Sequence, residues 1–102
     1  MGFKTILQPR ARKELLDVWI WYEEKQTDLG NRFEIEVYKR LKEIEQHPKR
    51  YPERIQLFRE TKIETFPYLI IYRIDEERKV ILISSIFHTN RNPDTKYDES
   101  AR

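Results

Sequence analysis

Two apolar runs late in the chain limit its fold more than any other feature. Tyr68-Leu69-Ile70-Ile71-Tyr72-Arg73-Ile74 and Val80-Ile81-Leu82-Ile83-Ser84-Ser85-Ile86-Phe87 are rich in β-branched and aromatic residues, which favours strand over helix. Only the polar turn Asp75-Glu76-Glu77-Arg78 separates them, and a link that short makes an antiparallel hairpin. Both runs are apolar on both faces. Both therefore belong at the centre of a sheet, about residues 68–74 and 79–87, with another layer packed against it.

The first half supplies that layer. After a short strand, Phe3-Lys4-Thr5-Ile6-Leu7, Pro9 is pre-set for the first turn of a helix, with Gln8 as a weak cap. Ala11, Leu15, Val18, Trp19 and Tyr22 then recur at helical spacing. Leu16, Ile20 and Trp21 widen the stripe, so this helix is expected to touch more than one neighbour. Lys25 to Asp28 ends it, and Thr27 or Asp28 is placed to cap the next. Phe33, Val37, Leu41 and Ile44 form the second stripe, which His47-Pro48 terminates because the residue before proline avoids helical backbone. Helices over about 9–26 and 28–47, joined so closely, form an antiparallel hairpin. The segment from Ile55 to about Thr65 reads as a further strand, and Phe66-Pro67 as a break or an edge. The order is βααβββ: an α+β fold, an antiparallel sheet with a helical hairpin packed on one face. Leu15, Trp19, Phe33, Val37, Leu41, Ile71 and Ile81 should be buried. Residues 89–102 are polar and read as a mobile tail.

Length and composition exclude several classes. A chain of 102 residues fits a single domain, 1–102. It has no cysteine, so a disulfide scaffold or a thiolate metal site is excluded. His47 and His88 make a poor metal set, Gly2 and Gly30 cannot build a glycine-rich phosphate loop, and no cofactor is expected. No run approaches the ~20 apolar residues of a membrane span, and the start lacks a signal-peptide core, so a cytoplasmic location is expected. The net charge is +2 but unevenly spread. Residues 14–45 carry nine acids against five bases, and residues 48–74 six bases against three acids. Such segregation raises the odds of an anionic partner.

The ordered set of segments resembles the RelE/ParE superfamily, toxins of type II toxin–antitoxin systems. The likeness rests on Pro9-Arg10-Ala11-Arg12-Lys13-Glu14-Leu15 after the opening strand, Val18-Trp19-Ile20-Trp21-Tyr22, and Leu29-Gly30-Asn31-Arg32-Phe33. It continues through Phe66-Pro67-Tyr68-Leu69-Ile70-Ile71-Tyr72-Arg73 to Val80-Ile81-Leu82 and Phe87-His88-Thr89-Asn90-Arg91-Asn92-Pro93. It implies a cognate antitoxin partner and growth arrest. It also implies one of two targets: DNA gyrase for ParE-type toxins, or mRNA on the ribosome for RelE-type toxins. A decayed toxin that keeps fold and partner is a third case. The antitoxin is expected to cover the open sheet face or the hairpin with a helix and an extended segment, its acids meeting the basic residues of the sheet.

A ribonuclease needs a proton acceptor, a proton donor and converging cations. The catalytic candidates are His88, at the end of the last strand, with Arg73 and Arg59. An imidazole can serve as either acid or base, but His88 also ends a strand and can simply hydrogen-bond there, and toxins of the ParE type carry the same histidine. Arg73, inside an apolar strand, must reach an open face, a strand end or an ionic partner. Arg59 and Lys62 have opposite strand parity and point apart unless a bulge intervenes. Together with Arg91, these residues are candidates for binding target or antitoxin. Tyr68 stands where some ribonuclease members carry arginine, and residues 53–65 contain no Lys-x-Lys pair. These departures favour the ParE-like branch over a RelE-like endoribonuclease. Ser84 and Ser85, mid-strand, read as packing residues.

Overall fold

The computed structural model describes residues 2–97. The elements run β1 (Lys4–Leu7), α1 (Pro9–Lys25), α2 (Leu29–Gln46), β2 (Arg59–Lys62), β3 (Tyr68–Asp75) and β4 (Val80–His88), with a short 3-10 turn at Pro93–Thr95. The helix boundaries agree with those read from the sequence to within a residue or so. The spacing of Phe33, Val37, Leu41 and Ile44 aims all of them at the sheet, and each is at most 2 % exposed. Burying each such side chain contributes roughly 1.5–3 kcal/mol. They join Ile70, Tyr72, Ile81, Ile83 and Ile86 in one core between the layers.

The sheet has the order β1-β4-β3-β2. It is mixed rather than wholly antiparallel, because β1 pairs parallel to β4, Lys4 to Leu7 against Val80 to Ile83. The hairpin explains this. The chain leaves β1, crosses the sheet as α1 and α2, and re-enters at the opposite edge as β2, so β1 lies beside the strand formed last. β3 and β4 are central, as their two-sided apolar pattern requires.

Other sequence expectations are corrected. The strand expected from Ile55 begins only at Arg59, since Gln56 and Leu57 hold left-handed backbone (φ 50° and 71°) that no strand accepts. Ile55 and Leu57 are exposed. Trp19 is half-buried, its indole N–H donating to Asn31 Oδ1 at 3.0 Å. Leu16, Ile20 and Trp21 face outward, and α1 meets more than one neighbour, as expected, through its other residues, packing on α2, β4 and β1. Asp28 occupies the cap position of α2 with φ 70° and makes no side-chain cap. Glu23 of α1 does that work, accepting from the N–H groups of Asp28, Gly30 and Asn31 at 3.3, 2.8 and 3.3 Å. Gly30 permits the approach: a Cβ there would sit 2.5 Å from the Trp19 carbonyl oxygen.

One irregularity decides the chemistry of β4. The register passes from Ile71↔Ser85 to Tyr72↔Ile83, leaving Ser84 as an extra residue. Ser84 Oγ donates to the Ile71 carbonyl at 3.2 Å, and the bulge lets Ser85 turn toward α1.

Candidate functional site

The five basic and imidazole candidates are not gathered into one site. Arg59 lies opposite Tyr72 at the start of β2. It is drawn into the loop before the strand, where Nη1 donates to the Tyr51 carbonyl at 2.6 Å and Nη2 lies 3.7 Å from Glu53. Lys62, opposite Leu69, turns its ammonium to the carbonyls of Ile63 and Phe66. Arg59 and Lys62 point to opposite faces, because no bulge falls in β2.

Arg73 projects from the sheet face away from the helices, its guanidinium carbon 4.9 Å from the centre of the Phe58 ring. His88 lies at the other end of the hairpin, paired with Tyr68. It packs edge-on against that ring at 4.9 Å, and Tyr68 belongs to the helix-side core. His88 Nδ1 accepts from the Asn90 N–H at 3.0 Å, an ordinary strand-end contact. Five positions along β3 separate Arg73 from the residue opposite His88, roughly 16 Å at ~3.3 Å per residue. Arg73 and His88 also serve opposite faces, so they cannot hold one phosphate between them.

The groups that do converge centre on Glu14, which sequence reasoning missed; of the candidates, Arg91 joins it. Glu14 of α1 accepts from Ser85 Oγ at 2.8 Å, from the Ile86 N–H at 3.0 Å, from Arg10 Nε at 3.1 Å and from Arg91 Nη2 at 2.6 Å. β1 ends opposite Ile83, so the edge of β4 beyond it has no strand neighbour. The Glu14 carboxylate takes that place at Ile86. Of these contacts, Arg10–Glu14 at helical i,i+4 spacing was readable beforehand. The others span more than 70 positions. Arg91 also lies 4.5 Å from the centre of the Phe87 ring.

Arg91 thereby brings the chain back toward the sheet, and the expected mobile tail is placed as far as Tyr97. Tyr97 stacks on Phe58 with centroids 5.0 Å apart. Its hydroxyl donates to Glu60, and Lys96 lies 3.1 Å from the same carboxylate. Burial, reinforced by the bond to Glu60, pushes the Tyr97 hydroxyl up to about 12. The remainder of the proposed tail, 98–102, lies outside the described residues.

On the helical layer, Leu7, Leu15, Leu16, Trp19 and Tyr38 line an apolar groove of about 730 Å³, rimmed by Arg12 and Glu34. Among the described residues no cluster of three or more His, Asp or Glu side chains is placed to hold a metal ion, and no helix is long and apolar enough to cross a membrane.

The sequence model for ParE toxins of the parDE type II toxin–antitoxin system matches residues 5–93. The chain belongs to the ParE toxin family. Solved structures share the ParE-type fold at low sequence identity. The chromosomal ParDE system from P. aeruginosa superposes with a TM-score of 0.75 at 15 % identity, over 86 % of this chain and 97 % of that one. A mutant of E. coli toxin RelE in the free state gives 0.67 at 18 %, over 88 % and 86 %. The toxin–antitoxin complex RelBE2 from Mycobacterium tuberculosis gives 0.63 at 19 %, over 86 % and 99 %. No curated protein matches the chain.

Proposed function

We propose that this chain arrests growth by binding DNA gyrase, as a ParE-like toxin, and that a cognate antitoxin neutralises it in the cytoplasm. One observation carries the choice of target: His88 lies at the opposite end of the sheet from Arg59 and Arg73, and Arg59 and Arg73 lie on opposite faces. Metal-independent RNA cleavage needs cations and a proton carrier within hydrogen-bonding reach of one phosphate. Here each candidate is engaged locally. A toxin that works by binding has no such requirement. Lys62 and Arg91 keep exposed side chains, so they are the members of the set best placed to touch target or antitoxin.

The antitoxin reading draws on the resemblance to ParDE and to the RelBE2 complex. The hairpin groove suits an amphipathic helix, with Leu16, Tyr38 and the neighbouring Ile20 exposed around it. Pulse labelling after induced expression tests the target. DNA synthesis should fail first and cells should filament, while protein synthesis continues. A stop in translation within minutes, with mRNA cut within codons, would sink the gyrase reading and make His88 the leading catalytic candidate.

A further inference from the structure

We propose that the open sheet face carries a slot for an aromatic side chain beside a basic one, presented by a peptide segment of a partner protein. The chain fills this slot with its own Lys96 and Tyr97. The floor is a separate apolar cluster, Phe58, Ile71 and Phe87, with Leu69 at its margin and Tyr97 lying over it. Phe58 is 1 % exposed although it sits on the face the helices leave open. The Tyr97 ring is stacked on it, and the Arg73 guanidinium is 4.9 Å away. At the wall stands Glu60, its side chain 8 % exposed, receiving the Lys96 ammonium and the Tyr97 hydroxyl.

The cis occupant is held lightly. Residues 92–95 are all exposed, and the described segment after β4 is anchored at Thr89, whose N–H donates to the Pro67 carbonyl at 2.9 Å, at Arg91, and again at Lys96 and Tyr97. A segment with so few buried contacts opens at low free-energy cost. Once it lifts, the surface beneath is an apolar platform beside a carboxylate that has lost the Lys96 and Tyr97 donors. Each exposed feature favours an incoming ligand. The carboxylate sets the chemistry of that ligand, which must bring N–H or O–H donors and positive charge together with a ring. A nucleic-acid strand brings phosphates, which only accept and which Glu60 repels. A peptide carrying Lys or Arg next to Tyr or Trp meets every requirement, and Arg, Tyr and Trp are enriched at the energetic centres of protein interfaces.

The probe is the capped hexapeptide Asn-Pro-Asp-Thr-Lys-Tyr, with a control in which alanine replaces the tyrosine. Full-length chain carrying Lys96→Ala and Tyr97→Ala has the slot emptied. The hexapeptide should shift the NMR signals of Ile71 and Phe87 in this variant, and the control should not. Adding Glu60→Gln should weaken the binding several-fold. The native chain should bind on the order of tenfold more weakly, because its slot is open only a fraction of the time. Saturating peptide should also speed hydrogen exchange of the native amides at 94–97, a readout that needs no variant. Absence of binding to the folded double variant, or no change in native exchange, overturns the slot. A single-stranded oligouridine that shifts the same residues in place of the peptide overturns its assignment to a protein partner. Neither readout involves growth arrest, gyrase or an antitoxin.

Discussion

Replacing Glu14 with alanine should loosen the molecule where α1, β4 and the C-terminal segment meet. The carboxylate is 13 % exposed and accepts four bonds, one from the backbone of an otherwise unpaired strand edge and one from Ser85, which is fully buried. Removing one member of a buried ionic network costs about 3–5 kcal/mol. The better helix propensity of alanine at an interior helical position returns roughly 0.4 kcal/mol. The net loss is about 2.6–4.6 kcal/mol. Unfolding entropy near 2.1 cal/mol/K per residue makes 1 kcal/mol worth roughly 5 °C in a chain of this length, so Tm should fall by about 13–23 °C. Glu14→Gln should fall between, since its amide oxygen still accepts from Ile86 and Ser85 while its NH2 group confronts the arginines. Thermal unfolding by circular dichroism gives the values, and hydrogen exchange at Ile86 locates the effect. A Glu14→Ala protein within 0.5 kcal/mol of native, a margin typical of surface substitutions, would refute the claim that this carboxylate closes the β4 edge.

Gly30→Ala should destabilise by roughly 1–3 kcal/mol, because the new methyl meets a backbone carbonyl at 2.5 Å that cannot step aside. Chemical denaturation measures this, and a neutral or stabilised variant would show that the helices part freely. Tyr72 and Tyr97 are each pushed up to about 12 by burial, with Glu60 adding to the effect at Tyr97. A folded-state value above the unfolded one contributes stability that is intact below about pH 10 and is lost as pH rises toward 12. Stability followed from pH 9 to 12 should therefore fall, and Tyr72→Phe should reduce that slope. The same variant should cost about 1–2 kcal/mol at neutral pH, since the Pro48 carbonyl loses its donor at 2.8 Å. A slope unchanged in Tyr72→Phe would count against the burial argument. His88→Ala should leave growth arrest nearly intact in a viability titration; a loss on the order of a hundredfold or more would mark it as a catalytic acid or base.

Much of the architecture was legible in residue order because it follows from local periodicity. The stripe from Phe33 to Ile44 determined α2 and which of its faces is buried. The two-sided apolar runs made β3 and β4 central, and the short polar link between them made that pair antiparallel. The parity of Arg59 and Lys62 set them on opposite faces. Tertiary structure alone decided what depends on residues distant in the chain. The parallel seat of β1 followed from where the hairpin delivers the chain, not from any property of Lys4 to Leu7. Glu14 looked like one more surface acid of an acidic helix until the bulge at Ser84 turned Ser85 toward it and β1 proved too short to pair with Ile86. Tyr97 looked like a residue of a polar tail until Arg91, anchored on Glu14, led it back to Phe58. Periodicity records which face of an element is apolar. It carries no record of which charged group from another element will satisfy a strand edge or a buried carboxylate, because that depends on three-dimensional proximity across as many as 77 positions.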